Sequence, residues 1–184
     1  IFKPAKVPPK DFTPLFLGNN SFIKGLGYLL FGLKNLKSDY GRVNIVGQND
    51  NTLLSKFNRY VKFKNLGFQD ETLPIYQNSS VYVLPTLSDP WPQTLIEAMN
   101  CGLPVITTKR AGNSHIIDDG QEGFVVPTRN YNEITKKLQY FIDNPSEIIR
   151  MGKNARRKAS NYTYQKFSDE MSKHIYEKVY EKDV

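Results

Sequence analysis

Short apolar segments alternate with helical segments along most of this 184-residue chain. Strands that are joined by helices favour a parallel sheet whose two faces are both covered, and right-handed crossovers make it a Rossmann-like, doubly wound α/β sheet. The predicted strands are Leu15–Leu17, Val43–Val46, Val61 and Phe63 up to Leu66-Gly67, Val81–Pro85, Pro104–Thr107 and Gly123–Val126. The predicted helices are the Leu26 to Leu33 stripe, residues 52–60, Leu73–Gln77, Thr94–Met99, Tyr131–Ile142, Pro145–Ala159 and Tyr164–Glu181.

Residues 1–11 predict a linker that precedes the folded domain. Pro4, Pro8 and Pro9, together with three lysines, leave no periodic apolar face there. Residues 12–184 are therefore expected to form one domain, C-terminal helices included.

The composition indicates a globular protein, with 39% hydrophobic and 23% charged residues. The apolar runs are far shorter than the roughly 18–20 residues that a membrane span needs. The only cysteine, Cys101, cannot form an internal disulfide and is expected to be a small buried side chain. Because the Lys- and Pro-rich opening also lacks the apolar stretch of a signal peptide, we expect a cytoplasmic location.

The net charge of +7 suits anionic partners. Its densest basic cluster, between Arg150 and Lys158, is either a solvated helix face or a peripheral contact with an anionic membrane surface. Nucleic acid is not an expected partner, because no recognised nucleic-acid module accompanies the charge.

The stretch from Thr86 to Ile106 is the most informative part of the sequence. It reads as a strand end, a polar loop, a helix and a second strand, and ligands bind parallel sheets at such loops. Pro92 fits the first turn of the helix. The N–H groups of Gln93, Thr94 and Leu95 should then point out of the helix N-terminus and form an anion site.

Two carboxylates flank this helix N-terminus. Asp89 lies in the loop and Glu97 lies within the helix, eight residues later. A carboxylate that accepts hydrogen bonds from vicinal hydroxyls can hold a ribose or a sugar. The alternative is that Asp89 caps the helix and Glu97 faces solvent. Trp91 likewise could shield a sugar site or pack under the loop.

The Asp89-x7-Glu97 pattern, followed by Ala-Met-x-Cys-Gly-Leu-Pro-Val-Ile, resembles the E-x7-E signature of retaining GT-B glycosyltransferases, in particular family 4 ("group 1"). Further segments resemble the family in the same order along most of the chain. They are Phe2-Lys3-Pro4, Leu15–Gly18 with Lys24-Gly25, Val81–Pro85, Gly112 to Phe124 and Met151-Gly152 with Ala155-Arg156.

This resemblance implies the C-terminal, donor-binding half of a GT-B enzyme, whose N-terminal acceptor domain is missing from the chain. Glu97 would hold the ribose hydroxyls, Asp89 the donor-sugar hydroxyls, and Lys24 the diphosphate. The loop at Gly67-Phe68 would contact the base. The remaining substrate-binding positions carried over from the family, including the backbone at the helix N-terminus, are Gly18, Asn19, Trp91, Gln93, Thr94 and Leu95.

Four positions depart from the family pattern. Asp89 replaces a Glu, Asn19 stands where an Arg is frequent, Pro92 replaces a Gly, and His115 replaces a Glu. No metal or other cofactor is expected, because the family uses cationic side chains and a helix N-terminus at the leaving diphosphate. The isolated His115 and His174 are expected to be structural or solvated.

The implied function is transfer of a hexosyl group from a nucleoside diphosphate sugar to a glycan or a lipid-linked acceptor, with retention. Alternatives are a catalytically degenerate GT-B module for nucleotide binding or interaction, a different GT-B activity such as a sugar-nucleotide epimerase, and a nucleic-acid or membrane-surface binder driven by the net positive charge.

Overall fold

The computed structural model describes residues 2–5 and 9–162. Within them, six parallel strands form one sheet in the order β3-β2-β1-β4-β5-β6. The strands are β1 Pro14–Leu17, β2 Val43–Val46, β3 Phe63–Gly67, β4 Val81–Leu84, β5 Val105–Thr108 and β6 Gly123–Val126. The helices are α1 Leu26–Lys34, α2 Asn51–Phe57, α3 Leu73–Gln77, α4 Gln93–Asn100, α5 Tyr131–Asp143 and α6 Pro145–Ala159.

The doubly wound α/β prediction is confirmed. Strands β2, β4 and β5 are buried throughout, as expected for apolar runs in a parallel sheet covered on both faces. Helix α1 packs with α5, and α4 packs with α6. The chain moves in opposite directions from the centre of the sheet, so right-handed crossovers place α1 and α4 on opposite faces. The predicted helix Tyr164–Glu181 lies outside the described residues.

The third strand differs from its prediction. Strand β3 is at the edge of the sheet and begins at Phe63, while Val61 lies before it, buried, with its N–H donating to the Phe57 carbonyl. Val61 therefore closes the turn after α2, and that helix ends at Phe57 rather than at residue 60. Val61 belongs to the hydrophobic core and the half-buried Phe63 packs against the same core, one from the turn and one from the strand.

Residues 2–5, which belong to the predicted linker, lie against α3. The Phe2 ring meets the Tyr76 ring edge to face, with 5.5 Å between centroids. Gln77 Nε2 donates to the Lys3 carbonyl at 3.0 Å. Residues 2–5 are therefore packed beside this short helix.

The strand order reverses between β1 and β4, which pair in parallel with Leu15 opposite Tyr82. In a doubly wound sheet, ligands bind in the crevice at the carboxyl edge where the strand order reverses. No helix within residues 2–5 or 9–162 has the length and apolar character to cross a membrane.

Candidate functional site

A cavity of about 310 Å³ opens at the reversal point of the sheet. It collects every predicted site residue except Glu97 and Leu95. Those on its wall are Gly18, Asn19, Lys24, Phe68, Asp89, Trp91, Gln93 and Thr94. Three separate loops and the start of α4 supply them, so the folded chain brings together positions that are far apart in sequence.

Lys24 and Asp89, both on the wall of this cavity, form an ion pair. Lys24 comes from the loop after β1 and Asp89 from the loop after β4. The two loops are also joined through the Ile23 carbonyl, which accepts from Thr86 Oγ1 at 3.0 Å and from the Leu87 N–H at 2.8 Å. Because an ammonium group has three N–H donors, Lys24 can bond Asp89 and still donate to an anion.

Gly25 explains how Lys24 is placed. Its φ of +80° lies in the left-handed region, and a Cβ there would be 2.1 Å from the Pro85 carbonyl oxygen. Only glycine combines that backbone conformation with such close approach to the end of β4. The Lys-Gly pair thus directs the lysine side chain toward the cavity while α1 begins at the next residue.

The loop that carries Asp89 is held by the loop after β5. The Asp89 N–H donates to the Arg110 carbonyl at 3.0 Å, and the Gly112 N–H donates to the Asp89 carbonyl at 2.8 Å. A Cβ on Gly112 would lie 1.7 Å from the Pro90 carbonyl oxygen. This contact requires glycine and fixes the backbone on both sides of the carboxylate.

The N-terminus of α4 has no side-chain cap and no acidic residue in its first turn. Pro92 is the residue before the helix rather than part of its first turn, with φ −66° and ψ 101°. The first N–H groups of a helix have no partner inside it, so Gln93 and Thr94 present donors at the cavity. The prediction for Leu95 is wrong in this respect, because Leu95 is buried and its N–H donates to the Pro92 carbonyl at 3.1 Å.

Asn19 ties two loops together at the cavity wall. Its Oδ1 accepts from the Gln48 N–H at 2.7 Å, which links the loop after β1 to the loop after β2. Phe68 and Trp91 line the mouth and are 63% and 42% exposed. The Trp91 indole is thus only partly packed, with its centroid 6.3 Å from that of the exposed His115 ring.

Glu97 is half-buried and lies on α4 one turn beyond Gln93. The Tyr76 hydroxyl donates to Glu97 Oε2 at 2.9 Å, so the glutamate does not simply face solvent. Burial raises the pKa of Glu97 above its ordinary value, while the hydrogen bond from Tyr76 lowers it. The alternative in which Asp89 caps α4 is also not what the structure shows, because Asp89 pairs with Lys24.

Tyr76 and Tyr82 are the site residues that sequence reasoning missed. Both are fully buried, and the Tyr82 hydroxyl lies 2.7 Å from Thr94 Oγ1 and 3.2 Å from the Leu17 carbonyl oxygen. A signal existed for Tyr82, since a hydroxyl in an otherwise apolar strand has to find a buried partner. Gln69 and Thr72 also line the cavity without having been predicted.

Within the described residues, no three or more His, Cys, Asp or Glu side chains form a group that could hold a metal ion. Cys101 is buried and unpaired, as expected, and burial raises the pKa of its thiol to about 12. The expectation that no metal takes part stays a prediction.

A family model described as "Glycosyl transferases group 1" matches residues 1–158. The chain belongs to this family. Among curated relatives of this group 1 chain, spore coat protein SA of Bacillus subtilis is 27% identical over 182 residues, covering 89% of this chain and 48% of the relative. The capsular polysaccharide biosynthesis glycosyltransferase CapM of Staphylococcus aureus is 26% identical over 148 residues, covering 80% of this chain and 36% of the relative.

Solved structures show the same fold. Sucrose-phosphate synthase from Thermosynechococcus elongatus superposes with a TM-score of 0.83 at 21% identity, covering 99% of this chain and 50% of that one. HepE from Anabaena, in complex with UDP and glucose, gives a TM-score of 0.77 at 18% identity, covering 89% and 48%. The group 1 chain therefore has the size and fold of one GT-B domain, and it spans about half the length of these relatives.

Proposed function

We propose that this chain is the donor-binding half of a retaining glycosyltransferase and holds a nucleoside diphosphate sugar in the cavity at the carboxyl edge of the sheet. One observation carries the proposal. A single cavity joins a lysine, an uncapped helix N-terminus and a carboxylate, and a second carboxylate lies one turn further along α4. These are the groups needed for a diphosphate and for two sets of sugar hydroxyls.

The diphosphate is assigned to Lys24 and to the N–H groups at the start of α4. Both are positive, and both are placed on backbone that the neighbouring loops hold rigidly. When the glycosidic bond to phosphate breaks, negative charge builds up on the departing diphosphate. A fixed ammonium and a helix N-terminus stabilise that charge more than they stabilise the ground state, which lowers the barrier.

The hydroxyl groups are assigned to the two carboxylates. Asp89 lies beside Lys24, so a sugar bonded to the phosphate held by Lys24 would be within its neighbourhood. Glu97 lies on the side of α4 that faces α3. We assign the ribose, which is bonded to the other end of the diphosphate, to this side. Phe68, exposed at the mouth, offers an aromatic surface to the base. The complex of HepE with UDP and glucose supports this class of ligand.

The acceptor site is assigned to an N-terminal domain, because this chain spans only about half of its curated relatives. The donor sugar would react on the face from which the diphosphate leaves, giving retention, with a glycan or lipid-linked hydroxyl as acceptor. A cytoplasmic location and a peripheral membrane contact stay predictions from the sequence.

Ligand screening tests the proposal directly. We expect UDP, GDP or ADP, or a corresponding nucleotide sugar, to raise the melting temperature of this chain, since a ligand at about 100 times its Kd adds about 2.7 kcal/mol of stability. EDTA should not change the shift. Lys24→Met keeps the side-chain stem and removes the charge, so it is the matched control for the contribution of the lysine charge to diphosphate binding. If none of these ligands stabilises the wild-type chain, the proposed function is wrong.

Activity of the complete protein separates the remaining alternatives. A glycosyltransferase gives a product whose anomeric configuration NMR reports, and retention is the expected result. Nucleotide binding without transfer would identify a degenerate module, whereas an altered sugar nucleotide without acceptor consumption would identify an epimerase.

A further inference from the structure

Two buried tyrosine hydroxyls meet the first turn of α4. The Tyr76 hydroxyl lies 2.9 Å from Glu97 Oε2 and 3.3 Å from the Thr94 carbonyl oxygen. The Tyr82 hydroxyl lies 2.7 Å from the Thr94 side-chain oxygen. Both tyrosines are fully buried, and of the two only Tyr76 has a hydrogen bond to a charged group.

The Tyr76 ring is held in place by its packing. The Phe2 ring meets it edge to face, and the Tyr82 ring lies 6.1 Å away between centroids. A tyrosine side chain has only two rotatable bonds, so a packed ring leaves its hydroxyl at a nearly fixed point. Burial also raises the pKa of the phenol well above its ordinary value, which keeps the proton in place for donation to Glu97.

The Glu97 carboxylate has no ion pair with any residue that the structure describes. Three rotatable bonds would otherwise let the half-buried carboxylate swing, and the hydrogen bond from Tyr76 removes part of this freedom. An ionised carboxylate can accept about four hydrogen bonds. Tyr76 uses one position on Oε2 and leaves the others for a pair of vicinal hydroxyls.

We propose that Tyr76 is a positioning residue that makes this site discriminate ribose from deoxyribose, by holding the Glu97 carboxylate where two vicinal hydroxyls can reach it. This rests on the proposed function, in which Glu97 binds the ribose. Tyr76 itself does not touch the ligand. Its effect should therefore be larger for a ribonucleotide, which offers Glu97 two vicinal hydroxyls, than for the 2′-deoxy form, which offers only the 3′-hydroxyl.

The experiment compares two variants with two ligands. Tyr76→Phe and Tyr82→Phe each remove one buried hydroxyl from the same turn of α4, and thermal unfolding shows whether both fold. Calorimetry then measures the affinity for whichever of UDP, GDP or ADP binds the wild-type chain, and for its 2′-deoxy form.

We expect the wild-type chain to prefer the ribonucleotide by about tenfold or more, the usual size of a hydrogen bond to a charged group. In Tyr76→Phe the preference should fall to about threefold or less, mainly through weaker ribonucleotide binding. Tyr82→Phe should keep the wild-type preference even where its overall affinity changes.

The possible failures are distinct. If Tyr76→Phe keeps the wild-type preference, or if Tyr82→Phe loses it equally, the role of Tyr76 is refuted while the proposed function stands. If no nucleotide binds the wild-type chain, both are refuted. If the wild-type chain binds ribo- and deoxyribonucleotide equally, Glu97 does not read the ribose and Tyr76 has nothing to position.

Discussion

Replacing Lys24 with methionine should destabilise the folded chain measurably, because it leaves the Asp89 carboxylate without its counter-ion. The Asp89 side chain is only 10% exposed, and that of Lys24 is 26% exposed. The methionine keeps the side-chain stem that packs over Gly18. This packing is close, since a Cβ added to Gly18 would lie 3.1 Å from the Lys24 Cγ. The change therefore removes the charge and little else.

The expected magnitude follows from this burial. Breaking a fully buried pair by removing one partner costs about 3–5 kcal/mol. Water reaches the Lys24 ammonium, so the pair is worth less, and we expect a loss of about 1–3 kcal/mol. Asp89→Asn leaves the more exposed partner alone and should cost less, about 0.5–1.5 kcal/mol.

Urea unfolding at neutral pH of the wild type, both single variants and Lys24→Met/Asp89→Asn measures the coupling. The double variant should be more stable than the sum of the two single losses predicts, by about 1–2 kcal/mol. A coupling within about 0.5 kcal/mol of zero would mean that the two charges do not stabilise each other, and the description of this ion pair would have to be abandoned.

The remaining predictions concern the ligand and the loops. Glu97→Ala should weaken nucleoside diphosphate binding by about 1.5–3 kcal/mol, and calorimetry that shows unchanged affinity contradicts its ribose role. Since burial raises the pKa of Glu97, affinity should fall on acidification at a pH above the usual glutamate range, and Glu97→Gln should remove that dependence. Lys24→Ala should weaken diphosphate binding but not nucleoside binding, and equal losses would indicate damage to the fold. Asp89→Ala should lower transfer by the complete protein sharply, and a wild-type rate in a normally folded variant excludes Asp89 from the site. Gly112→Ala should destabilise the chain by about 1–3 kcal/mol through its contact with the loop that carries Asp89, whereas Gly27→Ala, with nothing within 4 Å in α1, should stabilise it by about 0.5–1 kcal/mol in thermal unfolding.

Sequence periodicity was sufficient for the buried strands and the long helices, because their burial follows directly from the spacing of apolar residues. It was less reliable at the sheet edge. Strand β3 carries exposed residues and offers little apolar pattern, so the alternation of Val61 with Phe63 predicts a strand that begins two residues too early.

Most of the predicted residues lie on one cavity, but their contacts with one another were not predictable, and Gln69, Thr72, Tyr76 and Tyr82 were missed. Asp89 and Glu97 were identified from a local motif in which they are eight residues apart, and the fold then explains why the loop after β4 matters. The ion pair of Lys24 with Asp89 joins residues 65 positions apart, and the bond from Tyr76 to Glu97 joins residues 21 apart. Such contacts depend on strand order and loop conformation, which local spacing does not encode.

The chain contains a single tryptophan, and that residue lines the cavity. Its emission therefore comes from one place, the loop between β4 and α4, without background from the core. Circular dichroism reports the whole domain instead. Unfolding curves from the two signals will coincide if this loop opens only together with the sheet, and the fluorescence transition will come first if the loop opens on its own. The protein thus has a built-in optical probe that distinguishes loss of the binding loop from loss of the fold, with no label needed.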